Sequence, residues 1–180
     1  MQEDIIVQFV FFETPLDSDQ FISEWDQFNR SVNADTHVTL QQTTTKKGFR
    51  YIAQHRCIAS EFKFVFTRPK RSSRIPEVEI SAKQAGGYGM QQKERGGNTH
   101  ADESKIFVFV AEPQTDLSVY KKIFPQAKLN IYEAYYENCQ FAYILEYFVK
   151  SKNAPELKTQ LAQFSPVDTG IYTECILQES

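Results

Sequence analysis

Cysteine is scarce in this 180-residue chain. Cys57, Cys139 and Cys175 make an odd count with no C-x-x-C pair, which argues against a disulfide framework and for a reducing compartment, the cytoplasm. No apolar run approaches the roughly 18 residues that cross a bilayer, so no membrane association is expected. The opening "MQEDIIVQFVFF" is acidic where a secretory leader would be basic. An excess of positive charge is also lacking: 20 Lys and Arg stand against 23 Asp and Glu, a net charge of −3. A nucleic-acid partner is therefore not expected, and the basic run "RPKRSSR" at Arg68–Arg74 reads as a solvated loop. The signatures G-x-S-x-G, H-E-x-x-H and strand–G-x-G-x-x-G–helix are missing, which removes the usual supports for hydrolase, zinc-protease and dinucleotide readings.

Aromatics, by contrast, are plentiful: 15 Phe and 9 Tyr in a chain that is 41% apolar. That composition calls for a packed globular protein. A repeat organises it. "FVFFETP" at Phe9–Pro15 matches "FVFVAEP" at Phe107–Pro113 in four of seven positions, and "FRYI" at Phe49–Ile52 matches "FAYI" at Phe141–Ile144 in the same order.

Each copy of the first motif predicts a strand covered on both faces. Helical stripes follow: Phe21, Trp25, Phe28 and Val32 in the first half, Leu117, Tyr120 and Phe124 in the second. Thr14-Pro15-Leu16-Asp17 predicts the first helix start, with Thr14 as cap, and Thr115 caps the second. Hairpins are expected around Lys46-Lys47-Gly48 and near Asn138. Asn153 to Phe164 predicts a third helix and "IYTECILQ" a closing strand. Residues 59–70 fit either helix or strand; the repeat spacing favours helix.

The second half thus reads β-α-β-β-α-β, the ferredoxin-like order, and the first half fits the same scheme. Two such units in tandem resemble the dimeric α+β-barrel superfamily, which includes antibiotic-biosynthesis monooxygenase-like and haem-degrading proteins. The resemblance rests on element order and repeat, without a contiguous family motif. It implies an α+β fold of two tandem ferredoxin-like units forming a pseudo-dimeric barrel: residues 1–85, a Gly-rich linker or flap at 86–104, and residues 105–180. Five of the seven glycines fall in "AGGYGMQQKERGGNTH" between the units, where Tyr88 would be the tip of a flap.

For function, the polar residues of the first hairpin draw attention. If Thr45 faces Phe49, then His37 lies opposite Cys57 and Thr39 opposite His55, on one face with Gln41 and Tyr51. That face could be an ordinary solvated strand surface, an organic-ligand pocket lined by His55, Tyr51, Gln41, Thr39 and Tyr88, or a metal site of His37, His55 and Cys57. The catalytic candidates are His55, His37 and Tyr51. Glu133, Glu137 and Glu146 are strand acids suited to acid–base work if buried. The expectation is a small-molecule-binding protein, a monomer or homodimer, acting on an apolar or aromatic ligand in the manner of a cofactor-independent monooxygenase. No cofactor is expected, haem through His55 being a minor alternative. The alternative function is a non-enzymatic interaction or assembly protein using an aromatic sheet surface.

Overall fold

A computed structural model describes residues 4–32, 38–43, 50–61, 83–137, 139–163 and 171–174. The described strands are β1 (Ile5–Glu13), β2 (Val38–Thr43), β3 (Tyr51–Ile58), β4 (Lys83–Glu94), β5 (Glu103–Val110), β6 (Lys128–Ala134), β7 (Tyr143–Lys150) and β8 (Ile171–Glu174). The helices are α1 (Ser18–Val32), α2 (Ser118–Ile123) and α3 (Ala154–Ala162). Every strand pairing is antiparallel, and the sheet closes into one barrel in the order β1-β3-β2-β8-β5-β7-β6-β4. Around the barrel, β4-β1-β3-β2 is followed by β8-β5-β7-β6, the same connectivity twice. No helix among the described residues is long and apolar enough to cross a membrane.

Period-two alternation divides each strand between two environments. In β1, Val10 and Phe12 face outward beneath α1, where they pack with Phe21, Trp25, Leu40, Tyr51 and Ala53. Val7, Phe9 and Phe11 face the barrel interior, against Phe107, Phe109, Met90 and Ile144. In the second half, Ile106, Val108, Leu145 and Tyr147 face outward and are covered by Tyr120 of α2 and by Leu157 and Leu161 of α3. These stripes match the helical spacing in the sequence, and the apolar strand motifs are buried on both faces as expected.

The helix starts differ in detail. Asp17, not Thr14, caps α1: its Oδ1 accepts the Gln20 amide at 2.9 Å. Thr14 instead accepts the amide of Leu16. At α2, Asp116 Oδ1 accepts the Ser118 amide at 3.0 Å, while the Thr115 hydroxyl donates back to Glu112. In both helices an acidic side chain outcompetes a nearby threonine for the first free N–H groups.

The largest departure concerns the glycines. Residues 86–94, expected to begin a linker or flap, form most of β4. Gly86, Gly87 and Gly89 pair with Phe11, Val10 and Gln8 of β1. On its other edge β4 pairs with β6, Met90 opposite Ala134, so this strand closes the barrel. A β-bulge between Phe11 and Phe12 accommodates it. The possible helix at 59–70 lies mostly outside the described residues; Ala59–Glu61 form a short 3-10 turn.

Candidate functional site

The interior of an eight-stranded barrel is just wide enough to be filled by side chains or to hold one small ligand. This one is divided. Towards one end, Phe9, Phe11, Phe107, Phe109, Met90 and Ile144 close-pack; Phe9 meets Tyr132 edge-on at 4.9 Å and Phe11 meets Phe109 at 5.5 Å. Such aromatic pairs add about 0.5–1.5 kcal/mol each beyond their area. Towards the other end the inward positions turn polar: Gln54 and Arg56 on β3, Gln92 on β4, Lys105 on β5, Asn130 and Tyr132 on β6, and Glu146 on β7. Together with Val7, Phe148 and the loop after β4, they line a cavity of about 480 Å³.

Glu146 is the centre of this polar end. Its sequence context, "YILEYFVK", is a strand apolar on both faces, and inward alternation carries the one acid into the barrel. It is 2% exposed. Register places Asn130 directly opposite, and its Nδ2 donates to Glu146 Oε1 at 2.9 Å. The Tyr132 hydroxyl donates to the same oxygen at 3.3 Å. From across the barrel, Gln54 Nε2 donates to Oε2 at 2.6 Å, and the Lys105 ammonium lies 3.8 Å from Oε2. Lys105 is itself only 5% exposed. Burial, and then the nearby Glu146 charge, push the Tyr132 phenol far above its ordinary range, so it serves as a hydrogen-bond donor at any physiological pH.

Asn130 also ties down the roof. Its Oδ1 accepts the amides of Gly96 at 2.7 Å and Gly97 at 3.2 Å. Gly96 lies so close to β6 that a Cβ there would come within 2.5 Å of the Leu129 backbone; only glycine allows this approach. Arg95, Gly97, Asn98 and Thr99 thereby become one wall of the cavity. The second half of the glycine-rich stretch is thus a pinned loop over a pocket. The expectation of a flap tipped by Tyr88 is corrected: Tyr88 sits within β4, packs on Phe11 and Phe141, and donates its hydroxyl to Gln140 at 2.6 Å.

The residues singled out from the first hairpin fall elsewhere. Thr39 pairs with Gln54 and Gln41 with Ile52, a register one residue away from the one expected. A one-residue slip moves residues to opposite faces, so Thr39 and Gln41 are not in register with His55. Tyr51, His55 and Cys57 occupy the outward positions of β3. Tyr51 is fully buried and packs 4.1 Å from the Phe21 ring beneath α1; Cys57 packs with Ile6. His55 is 2% exposed and paired with Gln8 and Val38, and burial lowers its pKa. His37 lies outside the described residues. The side chains of Tyr51, His55 and Cys57 belong to the outer face of the sheet and do not line the barrel cavity. Among the described residues, no group of three or more His, Cys, Asp or Glu is placed to hold a metal ion. Of the three strand acids, Glu146 lies in the cavity, while Glu133 pairs with Lys93 at 3.0 Å near the surface.

No protein-family model and no curated protein matches the chain. Solved structures do. A doubly substituted chlorite dismutase from Candidatus Nitrospira defluvii is similar with a TM-score of 0.59 at 9% identity, over 96% of this chain and 93% of that one. The same organism's enzyme in complex with imidazole gives 0.54 at 9% identity, over 96% and 92%. A proposed monooxygenase from Lactobacillus acidophilus gives 0.55 at 10% identity, over 96% and 94%. The chain shares the fold of these chlorite dismutase and monooxygenase structures. That likeness overturns the expectation of a cofactor-free protein with haem as a minor alternative, because the chlorite dismutase-like neighbours are haem-binding proteins. Among the described residues the lining of this cavity does not fit haem: it includes no His, Cys or Met, and its phenol, Tyr132, is held protonated by burial, so it offers none of the side chains that ligate haem iron. The cofactor is unassigned.

Proposed function

We propose that the chain is a small-molecule-binding protein of monooxygenase-like fold whose ligand occupies the polar end of the barrel. One observation carries this: the buried cluster of Glu146, Lys105, Asn130, Gln54 and Tyr132 at the wall of the cavity. Burying an acid and an amine is costly, and apolar residues of similar size commonly serve stability as well or better. Among the described residues, the other end of the same barrel packs apolar side chains such as Phe9, Phe11, Phe109 and Ile144. Retaining a charged network where the cavity opens is therefore better explained by recognition than by folding. Val7, Phe148 and the Tyr132 ring offer an apolar surface for the body of an aromatic or apolar ligand, and the network orients its polar atoms.

Contacts between the halves support a tandem duplication of ferredoxin-like units. Phe9 and Phe107, equivalent in the repeated motif, meet edge-on at 6.2 Å, and their successors Phe11 and Phe109 do the same at 5.5 Å. Gln54 and Glu146, equivalent in the second repeat, hydrogen-bond to each other. Equivalent residues touch in this way when two copies of one unit face each other about a local twofold axis. Assembly through an aromatic sheet surface finds less support: the described strand aromatics are largely turned into the barrel or beneath helices, and the exposed large apolar side chains among the described residues are Ile5 and Val119.

The test is a fluorine-fragment screen by ligand-observed NMR on the wild-type protein and on a Lys105→Met, Glu146→Leu double variant. Fragments should bind the wild type and lose binding to the folded variant. A variant that keeps every fragment would remove the cavity as the binding site.

A further inference from the structure

Charge around the cavity is not evenly matched. Lys93 pairs with Glu133 at 3.0 Å, Lys121 with Glu94 at 2.5 Å and Lys128 with Glu103 at 3.4 Å. Glu146 is satisfied inside the barrel by Gln54, Asn130, Tyr132 and Lys105. Arg56 and Arg95 are the exceptions. Arg56 Nη2 donates to Gln92 Oε1 at 2.7 Å and Arg95 Nη2 to Asn98 Oδ1 at 2.9 Å, both neutral amide oxygens. Neither guanidinium has an acidic partner within ion-pair distance among the described residues. Each carries five N–H donors in a planar fork suited to a carboxylate, and each uses one of them on a described side chain.

Both arginines line the cavity and also a second hollow of about 320 Å³ that adjoins it at Val7, Arg56, Gln92 and Arg95. They thus stand at the shared rim of the two spaces. Among the described residues of the cavity wall the cations are Arg56, Arg95 and Lys105 and the acid is Glu146. This excess occurs in a chain whose net charge is −3, so it is a local feature of the site.

Resting on the binding reading above, we infer that the ligand is an organic carboxylate, its acid group received between Arg56 and Arg95 at the rim and its body laid inward against Phe148 and Tyr132. The geometry separates the roles. Glu146, its oxygens already occupied, would repel an acid placed deep in the barrel; the rim would attract it. The pinned loop holds the backbone beside Arg95 and strand β3 that of Arg56, and the bonds to Asn98 and Gln92 orient the two guanidinium groups.

The experiment titrates benzoate, cinnamate and 1-naphthoate, each beside its primary amide, into isotope-labelled protein, following the amides of Gly97, Asn98 and Thr99. The acids are expected to bind at least tenfold tighter than the matched amides. Arg56→Gln with Arg95→Gln should remove that preference, weakening the acids at least tenfold more than the amides. Amides that bind as tightly as acids would overturn the carboxylate inference and leave the cavity reading standing. Acids that keep their advantage in the double variant would overturn it equally. If neither acids nor amides shift the loop resonances, both the cavity reading and this inference fall.

Discussion

Asn130→Ala is the perturbation whose cost the structure specifies most fully. Asn130 is buried, and its amide oxygen holds the Gly96 and Gly97 N–H groups while its nitrogen donates to Glu146. A neutral hydrogen bond contributes about 1 kcal/mol net and one to a charged group about 1.5–3 kcal/mol. Two backbone bonds and one to Glu146 therefore total about 3.5–5 kcal/mol. Water entering from the cavity can replace part of this, so the expected loss is about 2–4 kcal/mol. Urea unfolding followed by intrinsic fluorescence measures it. Hydrogen exchange adds the local signature: the amides of Gly96 and Gly97 should lose protection more than those of β1 or β5. A loss below about 0.5 kcal/mol, or unchanged protection at both glycines, would refute the idea that Asn130 pins the loop to the barrel.

Other predictions rest on the same geometry. Gly96→Ala should destabilise by about 1–3 kcal/mol, because its Cβ would meet the Leu129 backbone. Gly97→Ala should cost less than about 0.5 kcal/mol, since its Cβ meets only the flexible Lys128 side chain; equal costs in thermal melts would contradict the close approach. Glu146→Leu alone should cost about 3–5 kcal/mol by removing the buried acid that Gln54, Asn130, Tyr132 and Lys105 surround, whereas Lys105→Met with Glu146→Leu should recover most of that stability; an equally unstable double variant would make the network structural. For pH, burial holds His55 below its ordinary value of 6.5. The unfolded chain then binds the proton first, so stability is full above about pH 6.5 and declines as pH falls below it towards the folded value. His55→Gln should flatten that decline in urea midpoints measured between about pH 7.5 and 5.

Much of the architecture is legible in the sequence because repetition and alternation are local signals. The Phe9 and Phe107 motifs mark β1 and β5, and the stripes at Phe21 and Trp25 and at Leu157 and Leu161 mark helices that cover the sheet. The β6–β7 register, with Ile131 opposite Leu145, also follows from the pattern. Two things are not local. The glycines resemble a break in structure, but Gly86, Gly87 and Gly89 are held in β4 by pairing with β1, a segment some 75 residues earlier. The hairpin pattern sets Thr39 opposite His55, whereas in the barrel Thr39 pairs with Gln54 and Val38 with His55, and Tyr51 and His55 point outward, away from the cavity proposed as the site. The signal that could locate it is subtler: Glu146, Lys105 and Asn130 are polar residues at inward positions of strands rich in apolar residues. A polar residue in that position has to be satisfied by other strands, and only closure of the barrel shows that Gln54 and Tyr132 do so.

The most direct test of the central claim is a crystal structure of the protein soaked with 1-naphthoate. Density is expected within the barrel end, with the carboxylate at Arg56 and Arg95 and the ring against Phe148 and Tyr132. A cavity closed by its own side chains, with the acid absent or bound elsewhere, would contradict it.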